Sequence, residues 1–287
     1  SGENGGGFAM AENHKIVKLY TRDVVAATSS KGNQEKWYDK ETNAWYKLDR
    51  IGFEALSEAV ASEILRKYSN IETELGYQIV PYHIDSVDVH KAKRNASISP
   101  NFLKEGQSIQ TAYHILKRVL GSDYQKVLAD EKTIPNRLKK IVDTIEAISG
   151  LQNFGQYLTL LFEVDALIAN EDRHLNNIAI IEENGTYQYC PLFDNGEGFM
   201  LDNVKYPFDV ETKGLMKHLR AKPFQCRFGT LLSAARELYG TQLKITCTAD
   251  EISEAIEAYL EWYQPMFRPF LKDRILDVMI LQMKKYF

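Results

Sequence analysis

The sequence predicts an α+β protein of two lobes, a small strand-rich one followed by a larger, mostly helical one. Three observations carry that prediction. Short runs of β-branched and aromatic residues dominate residues 14–89, with one helical pattern among them. From residue 109 onward, apolar residues recur at three- and four-residue steps over long stretches, the spacing of helices with a buried face. The length, 287 residues with 44% hydrophobic and 26% charged, is enough for one large domain or two lobes with a real core.

The composition also narrows the function. Net charge is −4 and the pI about 5.9, so no broad basic face for direct nucleic-acid binding is expected. Cys190, Cys226 and Cys247 are scattered and form no CxxC pair, which argues against a disulfide framework or zinc site and suits a reducing, cytoplasmic setting. No apolar run approaches the ~20 residues of a membrane span, so no stable membrane insertion is expected. Residues 1–13, with Gly5-Gly6-Gly7 and no leading methionine, read as a tag or loose tail without a signal peptide and are set aside.

Residues 14–89 are expected to form the first lobe. Lys15 to Tyr20 and Val24 to Ala27 are strand-like, and the polar loop from Thr28 to Tyr38 holds Ser29, Ser30, Gly32 and Gln34. A small Gly-containing loop between strands can lay backbone N–H groups over phosphates, although an ordinary hairpin loop has the same composition. Ala44 to Leu48 reads as a strand carrying Lys47. A helix follows from about Gly52 to Tyr68, with Phe53, Leu56, Val60 and Ile64 as its apolar stripe and Glu54, Glu58 and Glu63 as candidate partners for Lys47. Ile79 to Tyr82 and Ser86 to Val89 read as further strands with a bend at Asp85. The polar stretch from His90 to Pro100 reads as a loop at the lobe connection, and Lys91, Lys93 and Arg94 most simply as its solvated charges, with a docking patch for acidic substrate groups as the alternative.

Residues 90–287 are expected to form the second lobe. Helices are predicted over Ile109–Leu120, Pro135–Ser149, Asn153–Ala169, Gly229–Tyr239, Ala249–Phe267 and Leu271–Tyr286, with a capping start at Thr248 to Glu251. Val204 to Phe224 reads as irregular. The helix ending at Ala169 is strongly apolar and delivers a polar loop, Asn170 to Asn177. An apolar strand then runs into Asn184-Gly185, the preferred pair for a type I′ hairpin turn, and returns through Thr186 to Phe193. Folding about that turn sets Asn177 across from about Leu192, so Asn177 and Asp194 should meet at one end of the ribbon. Asn195 to Phe199 beyond them reads as a mobile loop. One amide oxygen and one carboxylate suit a hard dication such as Mg²⁺. Asp172, left free nearby, can orient or deprotonate an acceptor hydroxyl, which together with the metal is what phosphoryl transfer asks of a protein. His174 is a candidate for the same chemistry or, by bonding backbone groups, for holding the loop. Arg173 suits either a phosphate or a carboxylate partner. Taken singly, these pieces also suit an ordinary capped loop and turn.

Asp-x-His-x-x-Asn, with a second Asp at the end of a hairpin, resembles the catalytic and metal-binding loops of HipA-type kinases. It also resembles the Asp-Arg-His-x-x-Asn loop of phosphatidylinositol 3/4-kinases. The bacterial CtkA-like proinflammatory kinases join the two and are similar in length. Ser29-x-x-Gly32-x-Gln34-x-Lys36 is similar to the nucleotide loop of the HipA type, in which a serine can be autophosphorylated, and Ser29 and Ser30 are the candidates. The resemblance spans roughly Ser29 to Phe224. It implies a bilobal protein-kinase-like fold that uses ATP and Mg²⁺, with a protein Ser/Thr hydroxyl as acceptor. Asp172, His174 and Lys47 would serve as catalytic residues. Ser30, Gly32, Gln34, Lys47 and Glu58 would hold the nucleotide, and Asn177 and Asp194 the metal. A lipid or small-molecule kinase, or a nucleotide-binding pseudokinase, are the alternatives. Likeness to the CtkA group would also allow delivery from a bacterium into a host cell. Asp194-Asn195-Gly196 stands where ordinary protein kinases carry Asp-Phe-Gly, so no Phe-based switch is implied.

Overall fold

The computed structural model describes residues 17–18, 35–50 and 52–287. Strands β1 (Val17–Lys18), β2 (Lys36–Asp39), β3 (Ala44–Leu48), β4 (His83–Val89) and β5 (Ala92–Pro100) form one sheet in the order β1-β4-β5-β3-β2. Only the β1–β4 pair is parallel. Helix α1 (Glu54–Tyr68) packs on this sheet. The stretch from His90 to Pro100 is therefore a correction to the loop expected there. His90 and Lys91 take left-handed backbone angles and close a two-residue hairpin with neither Gly nor Asn to announce it. The polar residues after them become a strand because β5 is paired on both sides, with β4 and with β3. Asp85 lies inside β4 rather than at a bend. Ile79 to Tyr82 makes only an isolated bridge, Ile79 to Leu192, in place of the strand expected there.

The rest is helical around a second, three-stranded sheet. Its strands are β6 (Ser108–Thr111), β7 (Ala179–Glu183) and β8 (Thr186–Tyr189), in that order. The helices are α2 (Ala112–Leu120), α3 (Tyr124–Asp130), α4 (Ile134–Ser149), α5 (Phe154–Ile168), α6 (Thr212–Leu215), α7 (Phe228–Tyr239), α8 (Ala249–Leu260) and α9 (Arg268–Tyr286). Ile109 to Thr111, expected as the first turn of a helix, instead lie in β6 because they pair with β7. Thr111 then caps α2 by accepting the His114 N–H. The helix that was to start at Ala249 ends at Leu260, short of the expected Phe267. Its capping box is formed by Thr248 and Glu251.

The core is one large apolar cluster to which α1, α2, α4, α5, α7, α8 and α9 all contribute, plus a smaller one on the first sheet around Trp37, Tyr46 and Val87. Helix α5 is its axis, with every residue from Phe154 to Ile168 except Gln156 buried. No described helix is long and apolar enough to cross a membrane. All three cysteines are free.

Candidate functional site

The hairpin β7–β8 turns at Asn184 (φ 51°) and Gly185 (φ 78°), both left-handed as a type I′ turn requires. Its register, Ile180 opposite Tyr189, extrapolates to Asn177 opposite Leu192. Asn177 ends a short 3-10 turn, Leu175–Asn177, rather than opening the strand. Arg173 ties the two ends of the ribbon together by donating to the carbonyls of Asn177 (3.1 Å) and Phe193 (3.2 Å).

Arg173 itself is buried and held from behind. Its Nε and Nη2 grip Asp165 of α5 at 3.1 and 3.0 Å, and Nη2 also donates to Asn195 Oδ1 at 3.3 Å. Asp165 further accepts from Asn170 Nδ2 (3.1 Å), and Asn170 Oδ1 accepts the Asp172 N–H (3.1 Å). Of the two partners open to Arg173 in the sequence, the structure selects a carboxylate. A lone aspartate inside an apolar helix was the available signal, since a buried charge requires a partner.

Lys47 of β3 reaches Glu58 Oε1 of α1 at 3.0 Å and Asp194 Oδ1 at 2.9 Å. Of the three candidate glutamates, Glu58 is the partner. Two carboxylates thus share one ammonium. Burial pushes Glu58 above the ordinary glutamate range against the pull of Lys47. Burial would also raise Asp194, but Lys47 and Lys36 more than offset it and hold that carboxyl below the ordinary aspartate range. Lys36 stands opposite Lys47 in the β2–β3 pairing, and burial together with Lys47 lowers its pKa. Glu58 also accepts the Asn195 N–H at 2.9 Å, so the same side chain fixes the lysine and the start of the loop after Asp194.

That loop is not the mobile one expected. Ser57 of α1 donates to the Asn195 carbonyl and accepts the Gly198 N–H at 3.1 Å, and Phe199 is fully buried. A Cβ at Gly198 would lie 2.9 Å from Ser57 Oγ and 3.0 Å from Ile168 Cδ1, so this close approach requires glycine. Asp194 itself has φ 70°, a left-handed conformation that aspartate tolerates better than most residues.

Among the described residues, two buried oxygens at this mouth find no hydrogen-bond partner: Asn177 Oδ1 and Asp194 Oδ2. The Asn177 amide nitrogen donates to the Asp172 carbonyl at 3.0 Å. A carbonyl can only accept, so the amide must present its oxygen outward. Buried oxygens are rarely left unpaired without a reason, and one amide oxygen with one carboxylate oxygen is the donor set of a hard divalent cation. Among the described residues no group of three or more His, Cys, Asp or Glu could hold a metal, so a softer, His- or Cys-rich site is not offered.

Asp172 and His174 line a cavity of about 340 Å³ with Glu54, Glu171, Glu197, Lys205 and Lys222. His174 accepts the Asn176 N–H on Nδ1 (3.2 Å), which leaves the proton on Nε2, buried without a partner 3.9 Å from Asp172 Oδ2. Burial lowers the His174 pKa and keeps the ring neutral. Lys222, from the stretch read as irregular, places its ammonium 2.8 Å from Asp172 Oδ1. Nothing local marks it in the sequence, because the fold brings it across fifty residues. Ser29, Ser30, Gly32 and Gln34 lie outside the described residues.

No protein-family model matches the chain, and comparison with curated proteins gives no match. Solved structures do match. The Helicobacter pylori proinflammatory kinase CtkA superposes with a TM-score of 0.55 at 13% identity, over 94% of this chain and 99% of that one. HipA of Shewanella oneidensis MR-1, from a complex with HipB and operator DNA, gives 0.44 at 13% identity over 93% and 67%, too loose to define a fold. On the first of these likenesses, and as the sequence resemblance implied, the chain has the α+β fold of a CtkA-like kinase.

Proposed function

We propose that this chain is a Mg-ATP-dependent kinase that transfers the γ-phosphoryl group to a Ser or Thr hydroxyl of a protein, with its own loop serines among the acceptors. The observation that carries this reading is the pair of unpartnered buried oxygens, Asn177 Oδ1 and Asp194 Oδ2, beside a lysine shared by Asp194 and Glu58. Asn177 and Asp194 would hold the Mg²⁺, and the ion, when bound, neutralises phosphate charge. Lys47, fixed by Glu58, directs its ammonium at the α- and β-phosphates. Asp172 faces the cavity where an acceptor would enter and accepts the hydroxyl proton. The acceptor oxygen then bonds to the γ-phosphorus as the bond to the β-phosphate oxygen breaks, and ADP leaves. Lys222 holds the Asp172 carboxylate toward that cavity and adds positive charge beside the transferring group. His174, neutral and bound to its own loop, is assigned to positioning. The likeness of the fold to that of a protein named a kinase supports the class of reaction. The test is incubation with γ-labelled ATP and Mg²⁺, offering protein and lipid acceptors side by side. Label on protein, located by mass spectrometry on Ser or Thr and absent in Asp172→Asn, is the expected result. Label on lipid alone, or none on any acceptor while ATP binds, would overturn it.

A further inference from the structure

A second cavity, of about 580 Å³, lies between the segment around α6, the start of α7 and the end of α9. Six cations line it: Lys213, Lys217, Arg220, Arg227, Lys284 and Lys285. Among the described residues, no carboxylate side chain lines it. All six are exposed, and among the described residues none forms an ion pair with a carboxylate. Arg220 donates its Nη1 only to the carbonyls of Lys217 and Leu219. In a chain of net charge −4, such a concentration of like charge makes a local positive field that favours an anionic partner.

The groove is joined to the proposed phosphoryl-transfer site. The Arg220 N–H donates to Glu171 Oε1 at 2.8 Å, and Glu171 immediately precedes Asp172 and lines the acceptor cavity. Lys222, in contact with Asp172, is two residues further on, no more than about 7 Å of backbone. A chain whose hydroxyl lies at Asp172 would therefore run directly into the basic groove.

Resting on the kinase reading, we propose that this groove is a docking site for an acidic segment of the protein substrate, adjacent in sequence to the phosphorylated residue. Its floor is apolar, with Met216, Leu219 and Phe228 lying beneath the cations, which suits acidic residues interspersed with apolar ones. A bilayer is a poorer fit. Membrane-surface binding needs apolar side chains that protrude beyond the cations, and none of the large exposed apolar side chains lines this groove. A long nucleic acid would have to cross the surface of an acidic protein outside the groove.

The test uses the full chain and a fluorescent peptide of alternating Asp and Phe that lacks any hydroxyl residue. Anisotropy should report binding that weakens with salt, and the double variant Lys217→Glu/Lys284→Glu should weaken it about tenfold or more. A reversal elsewhere, Lys139→Glu, should leave it unchanged. If the double reversal fails to fold by circular dichroism, Lys217→Gln/Lys284→Gln reads the same effect in smaller measure. No binding to wild type, or binding indifferent to these substitutions, would overturn the proposal. So would tighter engagement by phosphatidylserine vesicles or an oligonucleotide with the same dependence on Lys217 and Lys284. A parallel assay with a Ser-containing acidic peptide separates the two readings. If the peptide binds through the groove but neither it nor any other protein acceptor is phosphorylated, the kinase reading fails and only the affinity of the groove for acidic chains stands. If Ser peptides are phosphorylated regardless of acidic flanks or of the reversals, the groove proposal fails and the kinase stands.

Discussion

Asp172 and Arg173 are neighbours in one loop, yet their ion pairs follow opposite rules. Arg173 and Asp165 leave 3% and 2% of their side chains exposed, whereas Lys222 and Asp172 leave 44% and 36%. The buried pair gives up its water and recovers the loss only through complete hydrogen bonding, which Arg173 achieves with Asp165, Asn195 and two carbonyls. The exposed pair contributes little to stability. Burial therefore separates the two: Arg173 builds the platform, and Asp172 stays accessible on top of it, where the proposed reaction needs it.

Substitutions can break this comparison directly. Arg173→Met strands the Asp165 charge and should destabilise the fold by about 3–5 kcal/mol, read by urea unfolding. Adding Asp165→Leu should recover part of that loss, because no charge is then left buried. Asp172→Asn should do the reverse, leaving the unfolding midpoint nearly unchanged while slowing phosphoryl transfer by about a hundred- to ten-thousand-fold. A large stability loss in Asp172→Asn, or a mild one in Arg173→Met, would dissolve the distinction. Lys222→Met sharpens it further. Its stability should move by no more than about 0.5 kcal/mol, and kcat should fall about tenfold with little change in KM for ATP.

The smallest effect concerns Asp49, just past β3. It accepts the Ala55 N–H at 2.7 Å and the Tyr263 hydroxyl at 3.1 Å, and so holds the start of α1, the helix that carries Glu58. Burial pushes its pKa up to about 8. The folded state therefore keeps a proton on Asp49 that the unfolded state gives up near pH 4. The stability that this group contributes is complete below about pH 4 and is lost as pH rises toward about 8. Asp49→Asn, neutral throughout, should flatten the pH dependence of the melting temperature across that window and gain on the order of 1 kcal/mol at its upper end. An unchanged slope would remove Asp49 from the account.

Much of this arrangement was legible in the sequence, for identifiable reasons. Asn184-Gly185 announces its turn through backbone preference alone, and the apolar repeats of α1, α4 and α5 announce their helices. The strand pattern of Ala44 to Leu48 and the glutamates of the helix after it narrowed the partner of Lys47 to three candidates, and geometry chose Glu58. Strand β5 was hidden because its turn residues, His90 and Lys91, carry no turn signature and its polar side chains are those of a loop. Lys222 was hidden for a different reason. Its significance depends on a contact across the chain that no local pattern encodes, and the same holds for the six cations of the basic groove, which come from three separate segments.

The central claim is that Asn177 Oδ1 and Asp194 Oδ2 stand unpaired in order to hold a dication carrying a triphosphate. Calorimetric titration of the wild-type chain with ATP, in Mg²⁺ and again in EDTA, tests it most directly, with Asn177→Ala as the companion. The account predicts that removing Mg²⁺ weakens ATP binding about tenfold or more and that Asn177→Ala loses most of this Mg²⁺ dependence. Equal affinity for ATP with and without Mg²⁺, or a Mg²⁺ dependence untouched in Asn177→Ala, would contradict it.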